Sequence, residues 1–398
     1  MRIVRDIVVL STLVLPAATR PVAAQVPVAS GREIAMSNSA WRLFIPSTYQ
    51  HRPGDVADLL VHFHGDKQVV WNNARYARLN SIIVTVNYSG LSSAYSTPFS
   101  NASLFQTLLD EALTKVRAQT DFAGTLTWDQ LGVSSFSAGY GAVREILKSA
   151  SYRSAIDALL AADSLYATTA GDGTPLDSQM VDYKTFAAQA KNGQKTFLFS
   201  HSQVPTYTYE STAECGDELL QSLGISPQSV NYNGLGTLNF YRQAVSGNFR
   251  LWGATGADGD SHLEHLRYIG QFFQELPLAK LAPPVGDFDG NYAVNAADLT
   301  IWRNAFGLSA AGDADASGAT DGADFLAWQR HYGATVGASV AATAVPEPGA
   351  GAAAILGGLL SLRFGLHRRG RRATRFSGRR RNAAPGHFHV AWSGSLAR

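Results

Sequence analysis

The stretch Leu131-Gly132-Val133-Ser134-Ser135-Phe136-Ser137-Ala138-Gly139-Tyr140-Gly141 decides how the rest of the chain is read. A short apolar run enters Ser135-Phe136-Ser137-Ala138-Gly139, and residues from Ala142 to Lys148 continue with helical spacing. A strand that turns into a helix this abruptly needs small residues two before and two after the turning residue. Here those are Ser135 and Gly139. Such a turn holds Ser137 exposed at the strand's end, with a helix N-terminus behind it. Negative charge developing beside Ser137 would be favoured by the helix dipole and by the Ala138 N–H. A Ser/Gly-rich turn without chemistry has the same local pattern, so the flanking sequence must decide.

On both sides the chain alternates apolar runs with helical stretches. Trp41 to Ile45, Asp58 to His64, Ser81 to Asn87, Ile156 to Ala162, Lys195 to Ser200 and Phe249 to Gly253 read as strands. Leu104 to Ala118 reads as a helix, from the spacing of Leu104, Leu108, Leu109, Ala112, Leu113 and Val116. Continuous apolar runs suit strands buried on both faces. Helical stretches between them imply right-handed crossovers and a mostly parallel α/β sheet flanked by helices.

Three features fall in order within this region: His62-Phe63-His64-Gly65-Asp66 after an early strand, Ser137 after a middle strand, and His262 after a late one. Together they resemble the α/β-hydrolase family over residues 30–281. The resemblance implies a nucleophilic Ser137, then an acid, then a histidine, in that chain order. His262 is the leading base, because it begins a helix just beyond the last strand. His265, one turn later, and His201, after another strand, are its alternatives. Asp163, at the end of the strand after the Ser137 strand, is the leading acid, with Glu214 and Asp217 as alternatives. Asp258 and Asp260 read as turn or N-cap residues. His64-Gly65-Asp66 resembles the His-Gly loop that supplies a second oxyanion donor, from the N–H of Asp66 or Lys67, beside that of Ala138. Tyr88, Tyr95, Tyr207, Tyr209 and Tyr232 are candidates to line a sugar or aryl site.

After Pro283-Pro284 the composition shifts to an internal repeat in which Trp302 aligns with Trp328. A twelve-residue calcium loop places oxygen ligands at positions 1, 3, 5, 7, 9 and 12. The first copy offers Asp287, Asp289, Asn291, the Ala293 carbonyl, Asn295 and Asp298. The second offers Asp313, Asp315, Ser317, the Ala319 carbonyl, Asp321 and Asp324. Gly318 occupies the sharp-turn position of the second loop, and Tyr292 replaces it in the first. Paired loops of this form, each followed by one helix, resemble a small α-helical dockerin domain over residues 285–334. That resemblance implies two structural Ca2+ ions, none of them catalytic, and a cohesin-like protein partner.

The ends of the chain read as addressing signals. Arg2 and Arg5 precede an apolar run from Ile7 to Leu15, and Val22-Ala23-Ala24 offers small residues for a signal peptidase, so residues 1–24 are expected to be a signal peptide. Residues 335–344 read as a linker. Pro346-Glu347-Pro348, a short apolar stretch and an arginine block make residues 345–372 resemble a PEP-CTERM sorting signal, with membrane anchoring before processing. Residues 373–398 read as a basic, disordered tail. Ten arginines lie between Arg363 and Arg398, while the formal net charge of the whole chain is only +2. The remainder is therefore acidic, which argues against nucleic acid as a partner. The lone cysteine, Cys215, leaves no internal disulfide.

The sum is a secreted or envelope-anchored serine hydrolase, most readily a carboxylesterase acting on an acylated polysaccharide in polysaccharide catabolism. A peptidase would use the same serine chemistry. The alternative of another class is an inactive hydrolase-fold binding or adhesion protein whose repeat mediates calcium-dependent interaction.

Overall fold

The computed structural model describes residues 26–290 and 292–334. The expected leader, linker, sorting segment and tail, and the ligand candidate Asn291, lie outside the described residues.

Among the described residues ten strands form one sheet: β1 (Gly31–Ala35), β2 (Trp41–Pro46), β3 (Val56–Phe63), β4 (Ser81–Val86), β5 (Thr127–Phe136), β6 (Ala158–Ala162), β7 (Thr196–His201), β8 (Gln228–Asn233), β9 (Asn239–Ser246) and β10 (Phe249–Ala254). Their order is β1-β2-β4-β3-β5-β6-β7-β10-β9-β8. The run from β4 to β10 is parallel, and antiparallel pairs close both edges. The expected α/β sheet with flanking helices is present. The sequence reading missed β1, β8 and β9. β1 and β8 are largely exposed and carry little apolar signal; on β9, buried Phe240 and Ala244 are too widely separated to form an apolar run.

The central strands are apolar throughout because both faces are covered, and their residues alternate strictly between two cores. Leu59, Val61 and Phe63 of β3, Leu159 and Ala161 of β6, and Phe197 and Phe199 of β7 enter one core. Leu60, Leu160 and Leu198 enter the other. The first core packs against helices Leu104–Arg117, Tyr140–Leu147, Asp177–Lys191 and Thr212–Leu223. The second packs against Lys67–Tyr76 and the short helix Gly270–Phe273. With every parallel strand pointing the same way, the loops after β3, β5, β6, β7 and β10 share one edge of the sheet. That edge is where such sheets present ligands and chemistry.

Residues 285–334 hold helices Ala296–Ala305 and Gly322–His331, each begun by a capping box, Asn295 with Asp298 and Asp321 with Asp324. The two halves exchange bonds. Trp302 Nε1 donates to Asp321 O at 2.8 Å, and Trp328 Nε1 donates to Asn295 O at 2.9 Å. Gly286 and Gly312, one before each loop, let the backbone pass against Trp328 and Trp302. No helix among the described residues is long and apolar enough to cross a membrane.

Close backbone approach fixes the turn after β5. A Cβ on Gly139 would fall 2.3 Å from the Phe63 carbonyl oxygen of β3. Gly139→Ala should therefore cost about 1–3 kcal/mol or more, from overpacking against backbone that cannot move aside. Gly171→Ala, whose Cβ meets nothing within 4 Å, should stay within about 0.5 kcal/mol. Urea midpoints of the two variants against wild type give the comparison.

Candidate active site

β5 delivers Ser137 into a single 3-10 turn, Ser137–Gly139, from which helix Tyr140–Leu147 continues. Ser137 has φ +47°, in the left-handed region that a residue with a Cβ avoids. Two other strand-end residues share this strain: His64 after β3, at φ +72°, and Asp163 after β6, at φ +45°. Left-handed non-glycine residues persist only where the surroundings over-determine them, and they cluster at functional sites. Ser135, which stands where glycine is usual, has a reason of its own. Ser164 Oγ lies 2.9 Å from Ser135 Oγ and 2.9 Å from Ser137 O, tying the turn to the chain after β6.

His262 lies on helix Gly259–Arg267, whose N-cap Asp258 accepts from Ser261 N at 2.9 Å. Its Nε2 is 2.8 Å from Ser137 Oγ, and its Nδ1 is 2.7 Å from Asp163 Oδ2. A carboxylate only accepts, so Nδ1 carries the proton and Nε2 is left to accept from the Ser137 hydroxyl. The imidazole stacks on Phe136 with centroids 4.6 Å apart. Asp163 is fully buried. Its Oδ1 accepts from Ser202 N at 2.9 Å and from the Thr212 hydroxyl. Burial pushes its carboxyl up; the imidazoles of His265 and His262 and the Thr212 hydroxyl outweigh that and hold it below the usual carboxylate range. Ser137, His262 and Asp163 thus form one hydrogen-bonded chain, drawn from the ends of β5, β10 and β6.

The alternative bases and acids are placed elsewhere. His265 is buried with Nδ1 on Ser200 Oγ at 2.8 Å, and its Nε2 has no hydrogen-bond partner among the described residues. His201 donates through Nδ1 to Ser202 O and accepts from Arg242 Nε. Glu214 completes the capping box with Ser211 at the start of helix Thr212–Leu223. Asp217 is exposed and pairs with Arg242 at 2.6 Å. Cys215 is buried, and burial pushes its thiol up, away from reactivity. The sequence reading missed Thr212 and Ser202 as the groups that hold Asp163. The Ser211-Thr212-Ala213-Glu214 capping box marks the helix start that positions Thr212.

Ala138 directly follows Ser137 and is buried. Gly65 has φ +119°, and a Cβ there would lie 2.8 Å from the Leu266 side chain, so only glycine passes. The Asp66 carboxylate caps helix Lys67–Tyr76 by accepting from Val69 N at 3.0 Å. His64 lies beside the turn, with Nδ1 2.8 Å from Tyr95 Oη and its ring stacked on Phe136. The five tyrosines named from sequence do not form one lining. Tyr95 is fully buried beneath His64, and Tyr88 bonds Trp41 and Asn38. Tyr232 sits on edge strand β8 against Gln243. Tyr207 is exposed, and Tyr209 packs on Tyr166, which in turn meets Tyr140. A cavity of about 380 Å³ lies elsewhere, among Arg32, Tyr49, His51 and Asp121, and includes none of these residues.

In the repeat, carboxylate oxygens of Asp287, Asp289 and Asp298 lie within 4.8 Å of one another, as do those of Asp313, Asp315 and Asp324. Each loop has left-handed residues at its fourth and sixth positions, Gly290 and Tyr292 in the first, Ala316 and Gly318 in the second.

No family model matches the chain, and no curated protein matches it. Similar solved structures are esterases and related hydrolases. The siderophore hydrolase EstB from Aspergillus nidulans is 12% identical, covering 66% of this chain and 99% of that one, with a TM-score of 0.36. A feruloyl esterase module from Clostridium thermocellum, solved as an S954A mutant with sinapinate, is 12% identical, covering 67% and 98%, with a TM-score of 0.36. The LpqC poly(3-hydroxybutyrate) depolymerase from Bordetella parapertussis is 13% identical, covering 60% and 88%, with a TM-score of 0.34. At such scores these likenesses carry no argument about chemistry, which rests on the geometry above.

Two buried histidines brace the site from below. His62 Nε2 donates to His64 O at 2.8 Å and its Nδ1 lies 3.0 Å from Ser134 Oγ, while His201 stands at the end of β7. Burial lowers each to about 3. Both are neutral in the folded protein and ionise near pH 6.5 once unfolded. Their contribution to stability is complete above about pH 6.5 and is lost as pH falls toward about 3. Across that window the two together should steepen the fall by roughly 2–3 kcal/mol per pH unit. Urea unfolding at a series of pH values should show this slope, flattened in a His62→Gln/His201→Gln variant.

Proposed function

We propose that the chain is a serine hydrolase, and within that class a carboxylic ester hydrolase. The hydrogen-bonded chain Ser137–His262–Asp163, with its serine held in a left-handed turn between a strand and a helix, carries this reading. Ser137 Oγ attacks the acyl carbon while His262 Nε2 takes the hydroxyl proton. The negative charge moves to the acyl oxygen, where the Ala138 N–H and the N–H of the Gly65–Asp66 turn would receive it. Asp163 orients the imidazole and stabilises its charged form. Collapse of the tetrahedral intermediate expels the alcohol, which takes the proton back from His262. Water, activated by the same imidazole, then releases the acid and restores Ser137. An inactive binding scaffold would have no use for a strained serine or a buried carboxylate aimed at it, and both are costly to keep.

Around this chemistry we place an exported protein, from the leader-like residues 1–24 and the sorting-signal-like residues 345–372. Its proposed substrate is an acylated polysaccharide. Residues 285–334 are proposed to hold two Ca2+ ions and to engage a cohesin-like partner. The donor set fits a hard cation: two groups of three carboxylates converge, each inside a loop whose curl is set by two left-handed residues. Asp287, Asp289, Asn295, Asp298 and the Ala293 carbonyl would hold the first ion, with Asn291 completing the set. Asp313, Asp315, Ser317, Asp321, Asp324 and the Ala319 carbonyl would hold the second. Calcium there would offset the repulsion of crowded carboxylates and order the loops.

Hydrolysis of p-nitrophenyl acetate and butyrate by the full chain should fall by about 10³-fold or more in Ser137→Ala and in His262→Ala, and by about 10²–10⁴-fold in Asp163→Asn. Activity that survives in Ser137→Ala would remove the serine mechanism. Calorimetric titration should find two equivalents of calcium, and chelation should lower the melting temperature.

A further inference from the structure

The sixth position of each loop, which the calcium pattern does not use, is filled differently in the two copies. The sixth residue of the second loop is Gly318, at φ +89°, and a Cβ placed there would meet nothing within 4 Å among the described residues. The sixth residue of the first loop is Tyr292, at φ +65°, a conformation its Cβ disfavours. The tyrosine ring accounts for the exception. It lies under the guanidinium of Arg78, 3.5 Å from Cζ to the ring centroid. Among the described residues Arg78 Nε is buried with no hydrogen-bond partner, and the Tyr292 ring face lies against this guanidinium.

Arg78 is itself at a joint. It follows helix Lys67–Tyr76 and is left-handed at φ +57°. Its carbonyl accepts from Leu281 N at 2.8 Å, and the next residue, Leu79, forms a bridge with Lys280. The segment that leaves the α/β unit toward the loops is therefore clamped by the same residue that covers Tyr292. On the loop side, Tyr292 N–H donates to Asp287 Oδ2 at 2.7 Å, so the docked residue also fixes the first proposed ligand.

We propose that the first calcium loop is a latch on the α/β unit, in which Tyr292 docks under Arg78 and calcium occupancy and docking reinforce each other. The proposal rests on the calcium reading above. Reinforcement of this kind is reciprocal: whatever calcium does for the docked joint, the joint does for calcium affinity at that loop. The second loop, with open space at its sixth position, is outside the coupling. The repeat is then a brace on its own hydrolase unit, beyond any protein partner it engages.

The test uses the full chain, calcium chloride titrated against the EGTA-stripped protein, and hydrogen exchange of peptides covering residues 76–82 and 278–282. Wild type should bind two calcium ions, and calcium should slow exchange in both peptides. Arg78→Gln should weaken one site by about fivefold or more and leave the other unchanged. Tyr292→Gly suits the turn, so it should still bind two ions, but calcium should no longer slow exchange in the two peptides. Two unchanged sites in Arg78→Gln, with full calcium-dependent slowing in Tyr292→Gly, overturn the latch and leave the calcium reading standing. No calcium binding in wild type overturns both. Should Arg78→Gln fail to fold, Tyr292→Gly decides alone, because its change lies in the loop.

Discussion

The Asp163 carboxylate is fully buried, and a buried charge is tolerated only where hydrogen bonds replace the water it has lost. Meeting that demand draws four segments together. Asp163 stands at the end of β6, the Ser202 amide comes from the end of β7, Thr212 from the start of one helix, and His262 from the start of another. Once His262 is held from behind by this carboxylate, its second nitrogen faces Ser137. The geometry at the serine is thus set by how the protein accommodates a charge on the far side of the imidazole.

Strain is concentrated at the same edge of the sheet. His64, Ser137 and Asp163 all leave their strands in the left-handed region, and each does so beside packing that permits little else. Gly139 lies against the Phe63 carbonyl, Gly65 against Leu266, and Ser164 against both Ser135 and the Ser137 carbonyl. The turn after β5 is held in place by neighbours from β3 and from the loop after β6. Two cores of large apolar residues supply the stability that such turns draw on.

The repeat obeys a different economy. Its helices are short, and several of its large apolar residues, Phe306, Leu308 and Leu326 among them, are half or more exposed. Its order comes from capping boxes, from two indoles that donate across the repeat, and from loops curled around carboxylates. A module with so little core depends on whatever joins its acidic loops and on what it leans against.

Much of this was written in the chain. Continuous apolar runs identified the central strands, because burial on both faces leaves no polar positions to interrupt them. The small residues around Ser137 marked the turn, because only small side chains fit there. The in-register spacing of Asp287 with Asp313 and of Trp302 with Trp328 marked the repeat. The edge strands were illegible, because half-exposed strands carry a weak apolar signal. The choice among Asp163, Glu214 and Asp217, and among His262, His265 and His201, was also beyond the sequence. All six stand at strand ends or on the helices that follow them, and nothing local separates them. Tertiary structure sorted them by what each side chain meets: Glu214 and Asp217 find partners near their own helix, His265 and His201 are buried on other neighbours, and Asp163 and His262 meet each other. Local pattern is fixed by sterics and burial over a few residues, whereas a hydrogen bond between residues 99 positions apart exists only once the whole sheet has formed.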